Sequence, residues 1–196
     1  MKHQVLHEDA FDEKGSNDQA MRYPPLARWL HLGLAVFGIA AYLTAEFAEH
    51  GARGAGYLVH AYLGLSLAAV MTVRLGAGLT DSDALGFRHW HLFSRTQWRA
   101  LAEDLRGLLR LRLPNRLQHE GLSLLVQAFG LTVFAWMAFT GVGLYLLGGG
   151  ESEAMEVLEE LHEVGESLVP AYLLLHVGAV TLHTLAGHRV LRRMMP

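Results

Sequence analysis

Cysteine is absent from this chain of 196 residues. That excludes disulfides, thiolate-held iron–sulfur clusters and thioether-linked cofactors, so any prosthetic group would have to be held by histidine or by packing. Charge is scarce as well. Asp, Glu, Lys and Arg make up 18% of the chain and apolar residues 52%, against about 25% charged in a typical globular domain. A deficit of that kind points to membrane spans. The first 25 residues are polar, contain no apolar core segment and close on Tyr23-Pro24-Pro25. They read as a polar tail rather than a cleavable signal peptide. No internal repeat and no low-complexity tract is present.

What the chain has is long uncharged runs. Trp29–Ala45, Leu58–Val73 (continued past Arg74 to Leu79), Gly121–Leu147 and Leu168–Gly187 are each long enough, at about 1.5 Å per residue, to cross most or all of a hydrocarbon core of about 30 Å. The expected architecture is all-α: a four-helix transmembrane bundle over residues 26–196, with spans at about 26–47, 57–79, 121–147 and 168–187, preceded by the tail at 1–25.

The connections differ in charge. Arg88, Arg95, Arg99, Arg106, Arg110, Arg112 and Arg116 lie between the second and third runs, and Arg189, Arg192 and Arg193 follow the fourth. The first connection has only Arg53; the connection before the fourth run has no Lys or Arg but holds Glu151, Glu153, Glu156, Glu159, Glu160 and Glu163. The positive-inside rule then puts both termini and the arginine-rich loop in the cytoplasm and the acidic segment outside. Within that loop Trp98–Leu113 alternates Leu101, Leu105, Leu108 and Leu109 with Arg99, Arg106 and Arg110. The pattern suits an additional cytoplasmic amphipathic helix on an anionic leaflet, or a solvated connector whose charges set topology.

Twelve histidines are a heavy load, and their depth is informative. His31 lies near the inner end of the first span and His60 near the outer end of the second. On the last helix His162 and His176 are fourteen positions apart, which returns to nearly the same face about 21 Å further along. Depth therefore pairs His60 with His162, and His31 with a histidine in the lower half of the last span, either His176 or His183. An imidazole in lipid is costly and faces the bundle interior, paired or functional. Zinc asks for three or four converging ligands, whereas two facing imidazoles fill the axial positions of a porphyrin iron. Two such centres, stacked across a bilayer with no open coordination position, carry electrons.

Neighbouring residues offer a cross-check. Arg74 lies fourteen positions after His60, at the inner side, and Arg28 one turn before His31; either could meet the propionates of an inner haem, and Arg53 those of an outer one. The alternative for all three is snorkelling to the headgroups. Gly64, one turn beyond His60, would let a porphyrin plane approach its helix, or would serve ordinary small-residue packing; Gly33 and Gly38 likewise offer small surfaces for close approach by another helix or a flat ligand. His3, His7, His89, His91 and His188 read as surface histidines. His119-Glu120 opens the third span, either as a helix start or near an inner cofactor or quinone.

RWLHLGLAVFGIAAYLTAE, VHAYLGLSLAAVMTVRLGAG, LHEVGESLVPAYLLLH and the closing LRRMMP together resemble the bacterial cytochrome b561 family, over about residues 22–196. That family includes the cytochrome b subunits of nickel-iron hydrogenase and formate dehydrogenase and small quinone-reactive cytochromes. The resemblance implies two haems b, each non-covalently held by two histidines: His31 with His176 on the inner side and His60 with His162 on the outer. It leaves His183 as a hydrogen-bond partner of a propionate or quinone, or as a buried polar residue.

The function so implied is electron transfer across the bacterial inner membrane between a periplasmic redox protein, such as a c-type cytochrome or a hydrogenase or dehydrogenase subunit, and the quinone pool. The acidic outer segment would attract a basic partner. The alternative is a stand-alone oxidoreductase that takes electrons from a small donor such as superoxide and reduces quinone. A haem-free transporter or anchor is disfavoured by the depth-matched histidines. Membrane lipid and quinone are expected partners, nucleic acid is not, and a homodimer is left open. A quinone site would lie near the inner haem, with His183, Arg74 and His119 as candidate neighbours.

Overall fold

The computed structural model describes residues 22–48, 54–114, 120–148, 152–188 and 190–195. Its elements are helical. Helix α1 runs Pro25–Ala48, α2 Ala55–Gly78, α3 Arg95–Leu109, α4 Gly121–Leu147, α5 Glu153–Leu185 and α6 Val190–Met194, with one 3₁₀ turn at Phe87–His89. Four of them, α1, α2, α4 and α5, are long and apolar enough to cross a membrane. Their outward faces carry large apolar side chains, among them Leu43, Phe139, Leu174 and Leu185. A soluble protein would not leave so much apolar surface in water, whereas lipid is its natural solvent.

Local chemistry sets the helix ends. Pro25 occupies the first position of α1, where its missing N–H costs nothing. Ser152 caps α5 by accepting from the Met155 N–H, and Glu153 and Glu156 in the first turn suit the positive end of the helix dipole. Gly148 closes α4 in the left-handed conformation that glycine adopts without strain.

Two boundaries differ from the sequence reading. The acidic segment ahead of the fourth apolar run is not a loop: from Glu153 onward it is the first part of α5, which extends over 33 residues. Glutamate is a good helix former, and charge marks where a helix leaves lipid rather than where it begins. The amphipathic segment forms a helix, but it spans Arg95–Leu109 instead of reaching Leu113. Leu111 adopts a positive φ of 55° and Pro114 follows, which ends the helix.

The packing is uneven. Helix α1 lies along α2, α4 along α5, and α2 meets α4; α5 has no comparable contact with α1 or α2. The main core, Leu67, Met71, Phe134 and Ala138 with Leu34, Phe37 and Leu131 against it, fills the space between α1, α2 and α4. Gly33 and Gly38 serve this packing: a Cβ there would press on Val70 and on the Phe134 ring respectively. A smaller cluster of Ala27, Leu30 and Leu85 ties the start of α1 to the segment after α2.

Helix α3 docks on the start of α4 by polar contacts. The buried Gln97 amide donates to the Gly121 carbonyl and accepts from the Gly121 N–H, both at 2.8 Å, and Asp104 accepts from the Leu122 N–H at 2.9 Å. The bonds to the Gly121 and Leu122 N–H groups satisfy donors that a helix start leaves without partners, and the bond to the Gly121 carbonyl adds to them. Trp98, Leu105 and Leu109 remain exposed. At the same end of the bundle the Tyr23 N–H donates to the Arg193 carbonyl, and Arg28 donates to that of Met195, so the two ends of the described chain meet. Burial pushes the Tyr23 hydroxyl up, with the Arg193 charge pulling the other way.

Candidate functional site

Two pairs of histidines bridge the interval between α5 and the α1–α2 layer. His31 on α1 faces His176 on α5 with ring centroids 6.0 Å apart, and His60 on α2 faces His162 on α5 at 6.3 Å. Metal–imidazole bonds are about 2 Å, so two rings bound to one metal ion from opposite sides stand roughly 6 Å apart, centroid to centroid. The pairs lie at different levels of the bundle because His162 and His176 are fourteen residues apart on one straight run of sequence, about 21 Å along α5. Among the described residues no three His, Asp or Glu side chains converge as a zinc cage would require.

The His60–His162 pair borders a cavity of about 310 Å³ whose walls include Gly38, Gly64, Phe134, Gly141, Glu159 and Val169. A Cβ added at Gly64 would meet nothing within 4 Å. Gly64 therefore does not serve helix packing; it leaves open space beside His60, which is what a flat ring system needs. On the α4 side, a Cβ at Gly141 would come within 3.3 Å of the His162 ring, so glycine there lets α4 approach the pair.

Both rings of this pair are fixed from behind. His60 Nδ1 stands 2.9 Å from the Ala41 carbonyl oxygen. A carbonyl only accepts, so the proton is on Nδ1 and the Nε2 lone pair is free. His162 Nδ1 stands 2.8 Å from the Thr140 hydroxyl, which is itself 2.9 Å from the Trp136 carbonyl. The hydroxyl proton goes to Trp136, so the oxygen accepts the Nδ1–H of His162 and again leaves Nε2 free. Thr140 is only 2% exposed, and nothing in an uncharged span singled it out in the sequence. The Trp136 indole N–H donates to the Leu161 carbonyl at 2.8 Å, tying α4 to α5 beside His162.

The His31–His176 pair is held by stacking. Tyr172, one turn before His176, lies against its ring at 5.4 Å and 21°, and meets Phe134 and Phe129 edge-on. Gly130 makes room for it, since a Cβ there would overlap the Tyr172 ring.

The remaining candidates fall into place individually. Arg28 Nε is buried without a hydrogen-bond partner among the described residues, one turn from His31. Arg74 donates to the Leu85 carbonyl at 3.0 Å and lies over the Phe87 ring at 5.2 Å, so its guanidinium holds the segment after α2. His183 Nδ1 is 3.0 Å from His188 Nδ1; the two form a third histidine pair, and His188 is half-buried rather than a free surface residue. Arg53 and His119 lie outside the described residues. A second cavity, of about 490 Å³, brings His89 and His91 together with Asp83 and Glu120 at the base of α3.

The residues present fit b-type haem: facing imidazole pairs at the right separation, and, at the His60–His162 pair, free Nε2 lone pairs and open space where a porphyrin would lie. Among comparisons with known proteins, a family model described as prokaryotic cytochrome b561 matches residues 22–196. Neither a curated protein nor a solved structure matches the chain.

Proposed function

The chain belongs to the prokaryotic cytochrome b561 family, and from that premise we propose that it is a di-haem b cytochrome carrying electrons between a periplasmic redox protein and the membrane quinone pool. Membership makes it a multi-pass membrane protein and a b-type cytochrome of transmembrane electron transfer. The finer reading is supported above all by the two imidazole pairs, 6.0 Å and 6.3 Å across, at different depths of one bundle. A haem iron held between two imidazoles supplies a reversible one-electron couple with no free position for a substrate.

The protein's own contribution is placement. His31 and His176 define the inner centre, and His60 and His162 the outer. The Phe134 and Tyr172 rings meet edge-on, Phe134 in the wall of the outer cavity and Tyr172 against His176. Arg28, and Arg53 by its place in the sequence after the first span, would pair with propionates, and Arg74 would add positive charge at the inner end. His183, hydrogen-bonded to His188, would exchange a proton with quinone at the inner face. With the arginine-rich segment and both termini cytoplasmic, the acidic first half of α5 faces the periplasm.

Glu153, Glu156, Glu159, Glu160, Glu163 and Glu166 lie on that half. A basic redox protein would be steered to it, whereas an anionic donor such as superoxide would be repelled, which disfavours the stand-alone reading. Electron delivery by a basic cytochrome c to the reconstituted protein tests the proposal. The second-order rate should fall as ionic strength rises through the range where the Debye length drops below about 10 Å. A salt-independent rate, or fast reduction by superoxide with quinone bound, would contradict it.

A further inference from the structure

The two histidine pairs differ in what stands behind their rings. At the outer pair both Nδ1 atoms have acceptors, the Ala41 carbonyl at 2.9 Å and the Thr140 hydroxyl at 2.8 Å. At the inner pair neither ring has a side-chain or backbone hydrogen bond among the described residues, and His176 is held by the face of Tyr172 instead. A ligating imidazole that donates its second N–H is oriented by that bond and becomes a more basic ligand. A more basic ligand favours ferric over ferrous iron.

Building on the two-haem reading, we propose that Thr140 is a positioning residue. Together with the Ala41 carbonyl it locks His162 and His60 with Nε2 toward the iron, and so makes the outer centre the lower-potential of the two. Fixed charge acts in the same direction. Glu159, Glu163 and Glu166 line the outer cavity, where carboxylates stabilise the more positive oxidised iron. Arg28 and Arg74 stand toward the inner end, where guanidinium charge stabilises the reduced one.

The consequence is a direction. With the outer centre the lower in potential, electrons supplied one at a time by a protein donor at the outer side would run downhill to the inner side, where quinone would take up two of them with two protons to become quinol. Neither His60 nor His162 gives up a proton in that step, because both Nδ1–H groups stay committed to their acceptors.

Redox titration of the purified holoprotein tests this, using Thr140→Val, which keeps the shape and removes the hydroxyl, and Thr140→Ser, which restores it. His162→Ala labels the components, since the step it removes is the outer one. In the unsubstituted protein the outer component should titrate below the inner. Thr140→Val should raise only the outer component, by about tenfold in its reduction equilibrium, or about 59 mV for one electron. Thr140→Ser should leave it in place. Loss of the outer haem in Thr140→Val, with retention at the original potential in Thr140→Ser, also supports the lock. The proposal is overturned if Thr140→Val keeps both haems with the outer component unmoved, if both components move together, if Thr140→Ser behaves like Thr140→Val, or if the outer component titrates above the inner. Full haem content in His162→Ala would remove the two-haem reading and the lock with it.

Discussion

His31 on α1 and His176 on α5 face each other with ring centroids 6.0 Å apart and planes inclined at 47°, although α5 packs along α4 and not closely along α1. A side-chain pair that spans a gap between two helices needs something in the gap to hold it, because apolar side chains would otherwise close it.

If iron is what the imidazoles share, the four ligand histidines should fail in twos. His31→Ala and His176→Ala are expected to lose one haem each, the same one, and the double variant to lose no more than either single. His60→Ala and His162→Ala should behave likewise for the other haem. Residues that act as one unit are strongly non-additive, and haem spectra of the single and double variants check this.

Gly64→Leu should separate cofactor space from helix packing. Because nothing lies within 4 Å of a Cβ there, the bundle should tolerate the side chain in the absence of haem. The leucine would then occupy the cavity beside His60, and the outer haem should be lost while helix content by circular dichroism is kept. Helix content lost together with haem would assign Gly64 to packing instead.

Gly130→Ala should do the opposite. Its Cβ would overlap the Tyr172 ring, so α4 and α5 would have to separate or the ring to move, at a cost of about 1–3 kcal/mol. Lower thermal stability in detergent is expected, with the inner haem disturbed first because Tyr172 stacks on His176.

How much of this was legible in the sequence depends on the kind of signal. The long uncharged runs gave all four membrane-capable helices, and the fourteen-residue spacing of His162 and His176 put them on one face because helical periodicity is nearly exact over that length. Pairing His60 with His162 followed from depth. The choice of His176 over His183 needed the family resemblance, since both lie on nearly one face; the structure puts His176 opposite His31 and gives His183 to His188. What was not legible was long-range backbone chemistry. The acceptor for His60 is a carbonyl of an alanine, a group every residue carries, and Thr140 looks in sequence like any hydroxyl bonding back to its own helix. Arg74 shows the same limit. Its spacing from His60 placed it at the inner end, but only the coordinates show its guanidinium bound to the Leu85 carbonyl and the Phe87 ring.

The dock between α3 and α4 was equally invisible, and it yields a stability test. Gln97→Ala would leave the Gly121 N–H without its buried partner and take a second donor from the Gly121 carbonyl. Leaving the N–H unsatisfied costs about 1–3 kcal/mol. The variant should melt earlier than the parent protein while retaining both haems, because Gln97 lies away from either histidine pair; thermal melting followed in the Soret band and in the far ultraviolet would distinguish the two effects.

The most direct test of the central claim is a pyridine haemochrome assay of the purified, haem-replete protein against its polypeptide concentration. The account predicts two haems b per chain, falling to one when either His60 or His162 is replaced by alanine. One haem per chain in the unsubstituted protein, or none, would contradict it.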